Sequence, residues 1–212
     1  TEVRHRVREA SLKAHQILLQ DPEGIVAIAC LEGRNRSALV AGMVLVRRRF
    51  SYVHAVKVIQ MGTGPRRLTN EHFVQELALL EQDLAREKEQ NSKIELCAML
   101  AHEANRVYCL SLGDTSQLHW EEAPEWQRQS AREGVHGVLA GNSPEQSHEA
   151  WKAAKMRDGW LWGITKDPER KYHPCIVPYQ ALPESQKRKD QIFVQVVTTM
   201  AQSLGLLDSN HG

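Results

Sequence analysis

Apolar residues in the first third of the chain follow two different patterns. Residues 7–20 have the spacing of an amphipathic helix, with apolar residues at Val7, Ala10, Ala14, Ile17 and Leu18. Residues 25–30, IVAIAC, form an apolar run with no polar face, and this run predicts a short buried strand. A mostly apolar helix is predicted at 37–50, where the basic last turn suits the helix dipole. A strand among helices predicts an α/β fold for this part of the chain.

The chain continues as helices with one marked polar interruption. Ser51 is a predicted N-cap for a helix at 52–60. A long helical pattern then runs from about Thr69 to about Arg86. The segment EKEQNSK, residues 87–93, is the most polar run, and it predicts a boundary between a domain at 1–90 and a second domain at 91–212.

The second half is predicted to be mostly α-helical, with short helices joined by structured loops. Six of the eight prolines lie after residue 120, which is typical of such loops. Ser143, Pro144 and Gln146 have the spacing of a capping box with proline at the first helical position. Asp158 and Gly159 end that helix. A final long helix is predicted to stop at Gly205.

Composition excludes several classes of protein. Lys and Arg number 27 against 26 Asp and Glu, so a net charge of +1 gives no argument for nucleic acid or a membrane as a partner. No apolar run reaches the roughly 20 residues of a membrane span. The chain begins at Thr1, so we expect a piece of a longer protein.

The four cysteines are far apart along the chain. None forms a C-x-x-C pair, so neither a disulfide framework nor a zinc site is expected, and a reducing cytoplasmic compartment is favoured. We expect no metal and no cofactor. The four positions are Cys30, Cys97, Cys109 and Cys175.

Residues 30–37, CLEGRNRS, carry the chemistry of a phosphate-binding loop. A loop between strand and helix can direct its backbone N–H groups and the positive helix terminus at one anion. The same field would lower the pKa of Cys30 and make its thiolate a nucleophile. Arg36 offers a planar fork to two phosphate oxygens, and Ser37 a hydroxyl donor to the thiolate. The backbone of the loop itself is the predicted phosphate cradle: Leu31, Glu32, Gly33, Arg34 and Asn35.

This C-x-x-G-x-x-R-S pattern resembles the phosphate loop of cysteine-dependent, dual-specificity-type protein phosphatases. FSYVHAVKVIQ and RRLTNEHFVQELALLEQ continue the resemblance, which covers about residues 5–85. It implies an N-terminally incomplete phosphatase-like domain with Cys30 as nucleophile, Arg36 as phosphate clamp and Ser37 as donor to the leaving thiolate. Ala29 stands where the family usually has histidine, and no upstream aspartate acid is identified. Lack of a general acid would lower turnover by about 10²–10⁴.

All five tryptophans lie between Trp120 and Trp162. Aromatic rings beside Lys155, Lys171 and Arg170 predict a pocket for a flat ring that carries a phosphate, because base stacking on aromatic faces contributes about 1–3 kcal/mol per base. The alternative is that the rings form a small hydrophobic core and that His102, Arg106 and His148 are structural. The candidate ligand-binding residues are Trp120, Trp126, Trp151, Trp160, Trp162, Tyr172, His173 and Arg106.

The second half resembles the RyR domain, the repeat of ryanodine receptors that also occurs singly in bacterial and phage proteins. The resemblance lies in HEANRVYC, WEEAPEWQRQSAREGV, HEAWKAAKMRDGWLWG, KDPERKYHPCIVPYQALP and KRKDQIF, over about residues 96–195. In prokaryotes this domain stands beside nucleotide-signalling and immunity modules. The resemblance therefore implies a phosphorylated small molecule of the nucleotide type, such as an ADP-ribose derivative, as partner.

Three functions remain open from the sequence. The favoured one is binding, sensing or sequestration of such a ligand in bacterial or phage immune signalling. The alternative is a cysteine-dependent phosphatase that forms a phosphocysteine intermediate. The third is a structural protein that uses neither site, against which the intact Cys30, Gly33, Arg36 and Ser37 argue. A homo-oligomer stays open, since long apolar helices can pair between chains.

Overall fold

The computed structural model describes residues 2–30 and 36–208 and divides the chain into two compact units, Thr1–Lys88 and Glu89–Gly212. The described residues are mainly helical. The polar run 87–93, where the sequence predicts a boundary, lies inside one helix, α4 (Glu71–Ser111). In the described part of the chain, no helix is both long and apolar enough to span a membrane.

The first unit packs its helices around an apolar core. Its elements are α1 (Glu2–Gln20), α2 (Arg36–Arg47), α3 (Tyr52–Thr63) and the first part of α4. Helix α2 packs against both α1 and α3 and buries more of its residues than either of them. The core residues are Val7, Ala38, Leu39, Val40, Met43, Val46, Ala55, Leu68, Leu77 and Leu80.

The α/β fold predicted for this unit is not what the structure shows. Residues 25–30 form no strand, and Ile25 is 96% exposed. A strand requires a hydrogen-bonded neighbour, and the described residues of the first unit contain no strand to pair with. The predicted buried strand at residues 25–30 is therefore wrong. An apolar sequence does not by itself supply a neighbouring strand to pair with.

In residues 89–208, the described part of the second unit, four helices and two very short strands surround a separate core. After the remainder of α4 come α5 (Glu125–Leu139), α6 (Pro144–Arg157), β1 (Leu161–Trp162), β2 (Tyr172–His173), a 3₁₀ turn (Tyr179–Ala181) and α7 (Glu184–Ser203). The strands are parallel, with Leu161 opposite Tyr172 and Trp162 opposite His173. The core residues are Ile94, Cys97, Ala98, Ala101, Trp120, Val135, Val138 and Val197.

The helix ends that the sequence predicts for this unit are confirmed. Ser143 caps α6: its Oγ accepts from Gln146 N–H at 3.2 Å, and Gln146 Oε1 accepts from Ser143 N–H at 2.8 Å. Asp158 is the C-cap of α6. After α7, Gly205 has a φ of +67°, a conformation that glycine adopts without strain. These ends fix where α6 and α7 present their side chains.

Candidate functional site

A cavity of about 800 Å³ lies within the second unit. Each surrounding helix contributes a stripe of side chains at helical spacing, such as His148, Trp151 and Lys155 along α6. Residues of α4, α5 and α7 and the loop after α6 complete the wall. Its volume falls in the range of about 300–1,000 Å³ that is typical of small-molecule sites.

Lys155 is the most unusual residue of this wall. It is only 7% exposed, and its Nζ lies 4.5 Å from the ring centroid of Trp126 and 5.2 Å from that of Trp160. Burial lowers its pKa. Among the described residues, no carboxylate forms an ion pair with Nζ and no acceptor hydrogen-bonds it; Asp158 and Glu133 act on it only through longer-range charge. The ammonium is therefore held by two ring faces, and the described part of the chain offers it no anionic partner.

His173 joins the aromatic side chains of the cavity into one cluster. Its ring lies edge-to-face with Trp151, at a centroid distance of 5.0 Å, and with Trp160, at 6.2 Å. Its Nδ1 accepts a hydrogen bond from Cys175 N–H at 3.1 Å. Burial, and next the charges of Lys166, Lys155 and Lys189, lower the pKa of His173 to about 4. The imidazole is neutral at physiological pH.

A buried histidine and an aspartate pair at another part of the wall. His148 is 3% exposed; its Nε2 lies 2.9 Å from the Val177 carbonyl oxygen, and its Nδ1 lies 3.6 Å from Asp190 Oδ2. Burial raises the pKa of Asp190 to about 7, against a smaller lowering by Lys189. Because Nε2 faces a backbone carbonyl, it donates its proton there, and the neutral ring keeps its lone pair on Nδ1, the nitrogen that faces Asp190.

Four of the eight predicted ligand-binding residues line the cavity: Trp126, Trp151, Trp160 and His173. Trp120 lies instead in the core, edge-to-face with His102. Arg106 donates to Glu103 Oε2 at 2.7 Å, while Glu103 Oε1 accepts from Trp120 N–H at 2.7 Å. These contacts account for Trp120 and Arg106 as structural groups.

Trp162 and Tyr172 lie on the two short strands, outside the wall. Trp162 is 56% exposed and Tyr172 37% exposed. Of the cationic residues named from the sequence, Lys155 lines the cavity, whereas Lys171 Nζ donates to the Asp158 carbonyl oxygen at 2.8 Å. Arg170 is exposed and ion-pairs with Asp167 at 3.9 Å.

The structure adds charged wall residues that sequence reasoning missed: Lys166, Lys189, Asp190, Asp114 and Glu133. One pattern could have revealed part of this set. Gln186, Asp190 and Phe193 recur at spacings of four and three along α7, and such a polar–apolar stripe marks a helix face turned to a partly hydrated space.

The predicted phosphate loop belongs to the first unit. Residues 31–35 lie outside the described part of the chain. On either side of them, Cys30 Sγ lies 3.4 Å from Ser37 Oγ, within hydrogen-bond distance for sulfur. Arg36 is exposed and begins α2. The described residues contain no group of three His, Cys, Asp or Glu side chains placed to hold a metal ion.

Helices α6 and α7 and most of α5, which supply most of the cavity wall, lie in one continuous stretch of sequence. Trp126, whose ring contacts the Lys155 ammonium, lies at the beginning of this stretch. This stretch, residues 126–206, matches the family model of the RyR domain, so the resemblance predicted from the sequence is confirmed for the C-terminal part of the chain.

Proposed function

We propose that the second unit binds a phosphorylated small molecule of the nucleotide type, such as ADP-ribose, in this cavity. The observation that carries the proposal is Lys155. A buried ammonium is costly unless an anion or hydrogen-bond acceptors compensate it. Here two indole faces hold the ammonium beside an open cavity, with no ion-pair partner among the described residues. A phosphate oxygen would supply that partner.

The aromatic cluster supports a flat ring as the second part of the ligand. Trp126 is 45% exposed, whereas Trp160 is 8% exposed, so Trp126 has the more accessible ring of the two. Their ring centroids lie 6.2 Å apart with planes inclined at 47°. A base that stacks on such a face gains about 1–3 kcal/mol.

The charge of the wall favours an anion over a cation. Lys155, Lys166 and Lys189 all act on His173. Asp190, which faces the same space, is partly neutral near pH 7 because its pKa is raised. Lys189 lies 3.9 Å from Asp114, whereas Lys155 and Lys166 have no ion-pair partner among the described residues, and these two ammonium groups would attract a ligand with one or more phosphates.

The test is calorimetric titration of the full chain with ADP-ribose, and with adenosine as the ligand that lacks phosphate. We expect Lys155→Met to weaken ADP-ribose binding by about 10–100-fold, the worth of one hydrogen bond to a charged group. Lys152→Met is the matched control, because Lys152 lies on the same helix, ion-pairs with Glu149 and does not line the cavity. Equal affinity in Lys155→Met and wild type would overturn the proposal, as would absence of binding to wild type.

Binding is proposed as sensing or sequestration in bacterial or phage immune signalling. The ligand should then be recovered unchanged after long incubation, which chromatography of the supernatant would check. Conversion of the ligand by wild type, lost in Cys30→Ser, would instead favour chemistry at the first unit.

A second candidate function is that of a cysteine-dependent phosphatase. The contact of 3.4 Å between Cys30 Sγ and Ser37 Oγ favours it, because a hydroxyl at that distance can donate to a thiolate leaving group. The expected result is slow release of phosphate from an aryl phosphate, whose phenolic leaving group needs little acid assistance, and its loss in Cys30→Ser. Equal rates in the two proteins would exclude Cys30 as the nucleophile.

A further inference from the structure

His173 can offer a ligand only one ring nitrogen. The backbone N–H of Cys175 donates to Nδ1 at 3.1 Å, so Nδ1 carries no proton and the neutral ring must carry its proton on Nε2. In the described part of the chain, no residue is bonded to Nε2. His173 lines the cavity. It is thus a neutral donor whose tautomer is set by the protein backbone.

Trp160 contacts both the ring of this donor and the ammonium of Lys155. Lys155 Nζ lies 5.2 Å from the ring centroid of Trp160, over its face, while the His173 ring meets the same indole edge-to-face at 6.2 Å. The charge of Lys155 also acts on His173 directly, since it helps to lower the pKa of the imidazole. A cation and a neutral donor therefore lie around one buried indole.

Phosphoryl groups match this combination. They carry negative charge for the ammonium and have several oxygens, so a second oxygen can accept from a neutral N–H. Two ammonium groups would add repulsion to the unliganded cavity, which already contains Lys166 and Lys189. A neutral imidazole adds a hydrogen bond without adding charge.

We propose that Lys155 and His173 form one phosphoryl subsite, in which Lys155 neutralises the charge and His173 Nε2–H donates a hydrogen bond to a phosphoryl oxygen. This inference rests on the proposed function and specifies it: the phosphate lies at the Trp160 side of the cavity. The base of the ligand is then directed to the exposed face of Trp126. Lys155 would then select for the negative charge of the ligand, and His173 for a correctly placed oxygen acceptor.

Two substitutions separate the donor from the structural role of the ring. In His173→Asn the side-chain oxygen can still accept from Cys175 N–H at the place of Nδ1, but nothing replaces Nε2. In His173→Gln the amide nitrogen reaches about as far as Nε2 and restores a donor. We expect ADP-ribose affinity to fall about 5–20-fold in His173→Asn, the worth of one hydrogen bond, and to stay within about threefold of wild type in His173→Gln.

The outcomes distinguish this inference from the proposed function. Failure of wild type to bind ADP-ribose would overturn both the proposed function and the phosphoryl subsite. If the affinity falls in Lys155→Met but is unchanged in His173→Asn, only the phosphoryl subsite is overturned. Equal loss in His173→Asn and His173→Gln, with both variants folded by circular dichroism, assigns His173 a packing role and also overturns the subsite.

Nitrogen NMR of the imidazoles reports the tautomer and the hydrogen bond of His173, which a purely packing role would not change. We expect the His173 signals to show the Nε2–H tautomer before ligand is added, and the Nε2 proton to shift downfield with ADP-ribose but not with adenosine. An Nδ1–H tautomer, or shifts of equal size with both probes, would contradict the proposal.

Discussion

At the scale of single residues, Gly134 sets the approach of α5 to α7. A Cβ at this position would lie 2.8 Å from Phe193 Cζ and 3.0 Å from Cε1, closer than side-chain contacts allow. Gly134→Ala should therefore force the packed Phe193 ring to move and lower the free energy of unfolding by about 1–3 kcal/mol, measured by urea titration.

Gly137→Ala is the matched control on the same helix. Its Cβ would meet the Asn142 side-chain amide at 2.7 Å, a group that can rotate away. The gain in helix propensity of up to about 1 kcal/mol then offsets most of the cost. Equal loss of stability in both variants would show that the contact with Phe193 does not set the helix distance.

Asp190 makes the stability of the second unit depend on pH. Its folded-state pKa, about 7, lies above the ordinary aspartate value of 3.8, so the folded state binds the proton more tightly than the unfolded state. Its contribution to stability is complete below pH 4 and is lost as pH rises from about 4 to about 7. Asp190→Asn, which cannot ionise, should be more stable than wild type at pH 8 by about 1–3 kcal/mol, and equal to it near pH 4.

Asp114 provides a control of opposite sign. Hydrogen bonds from Ser116, including its N–H to Oδ1 at 2.9 Å, lower the pKa of Asp114. Its stabilisation is present above the unfolded pKa and is lost as pH falls through the lowered folded pKa. Asp114→Asn should thus be less stable than wild type at neutral pH. Thermal melts of both variants from pH 2 to pH 8 in the absence of ligand would reveal a wrong sign for either residue, because the Asp114 transition lies below its unfolded pKa of about 3.8.

At the scale of elements, the N-terminal cap of α6 positions one wall of the cavity. Ser143→Ala removes the acceptor for Gln146 N–H and half of the capping box. We expect a loss of about 1 kcal/mol in the free energy of unfolding, and a lower affinity for ADP-ribose only in proportion to the fraction unfolded. Ser143→Asp should restore the stability. A stable Ser143→Ala variant would mean that α7 and the 3₁₀ turn hold α6 without its cap.

The sequence predicts α6 well because its signals are local. Ser143, Pro144 and Gln146 each act within one helical turn, so neither the rest of the fold nor a ligand can change their preference. The segment 25–30 shows the opposite case. A strand depends on a partner elsewhere in the chain, and six apolar residues contain no information on whether that partner exists. Capping patterns of this kind predict where a helix begins. A polar run alone does not predict where one ends, since α4 continues through residues 87–93, and sheet formation is left undetermined.

The candidate site was only partly predictable for a related reason. The clustering of tryptophans along the sequence correctly indicated Trp126, Trp151 and Trp160 as neighbours, with His173 from the following loop. It could not separate them from Trp120, since rings in a core and rings on a cavity wall have the same composition. What distinguishes them is the space beside each ring, which depends on the packing of α4, α5, α6 and α7.

At the scale of the whole molecule, the segment that matches the RyR domain does not contain all of its core. Residues 126–206 lack Ile94, Cys97, Ala98, Ala101 and Trp120, which the second unit uses as core residues. We expect a fragment of residues 89–208 to fold and to bind ADP-ribose like the full chain, and a fragment of residues 126–206 to stay largely unfolded by circular dichroism. A folded shorter fragment would show that the α4 residues are dispensable.

The placement of the tryptophans determines which part of this protein intrinsic fluorescence can monitor. All five belong to the second unit, so indole emission observes that unit and not the first. Two of them hold an ammonium against their rings at the proposed ligand site, and the exposed Trp126 is the one a stacking base would cover. Intrinsic tryptophan fluorescence should therefore report ligand binding without an added dye. We expect nucleotide to change the emission of wild type and not that of Trp126→Leu.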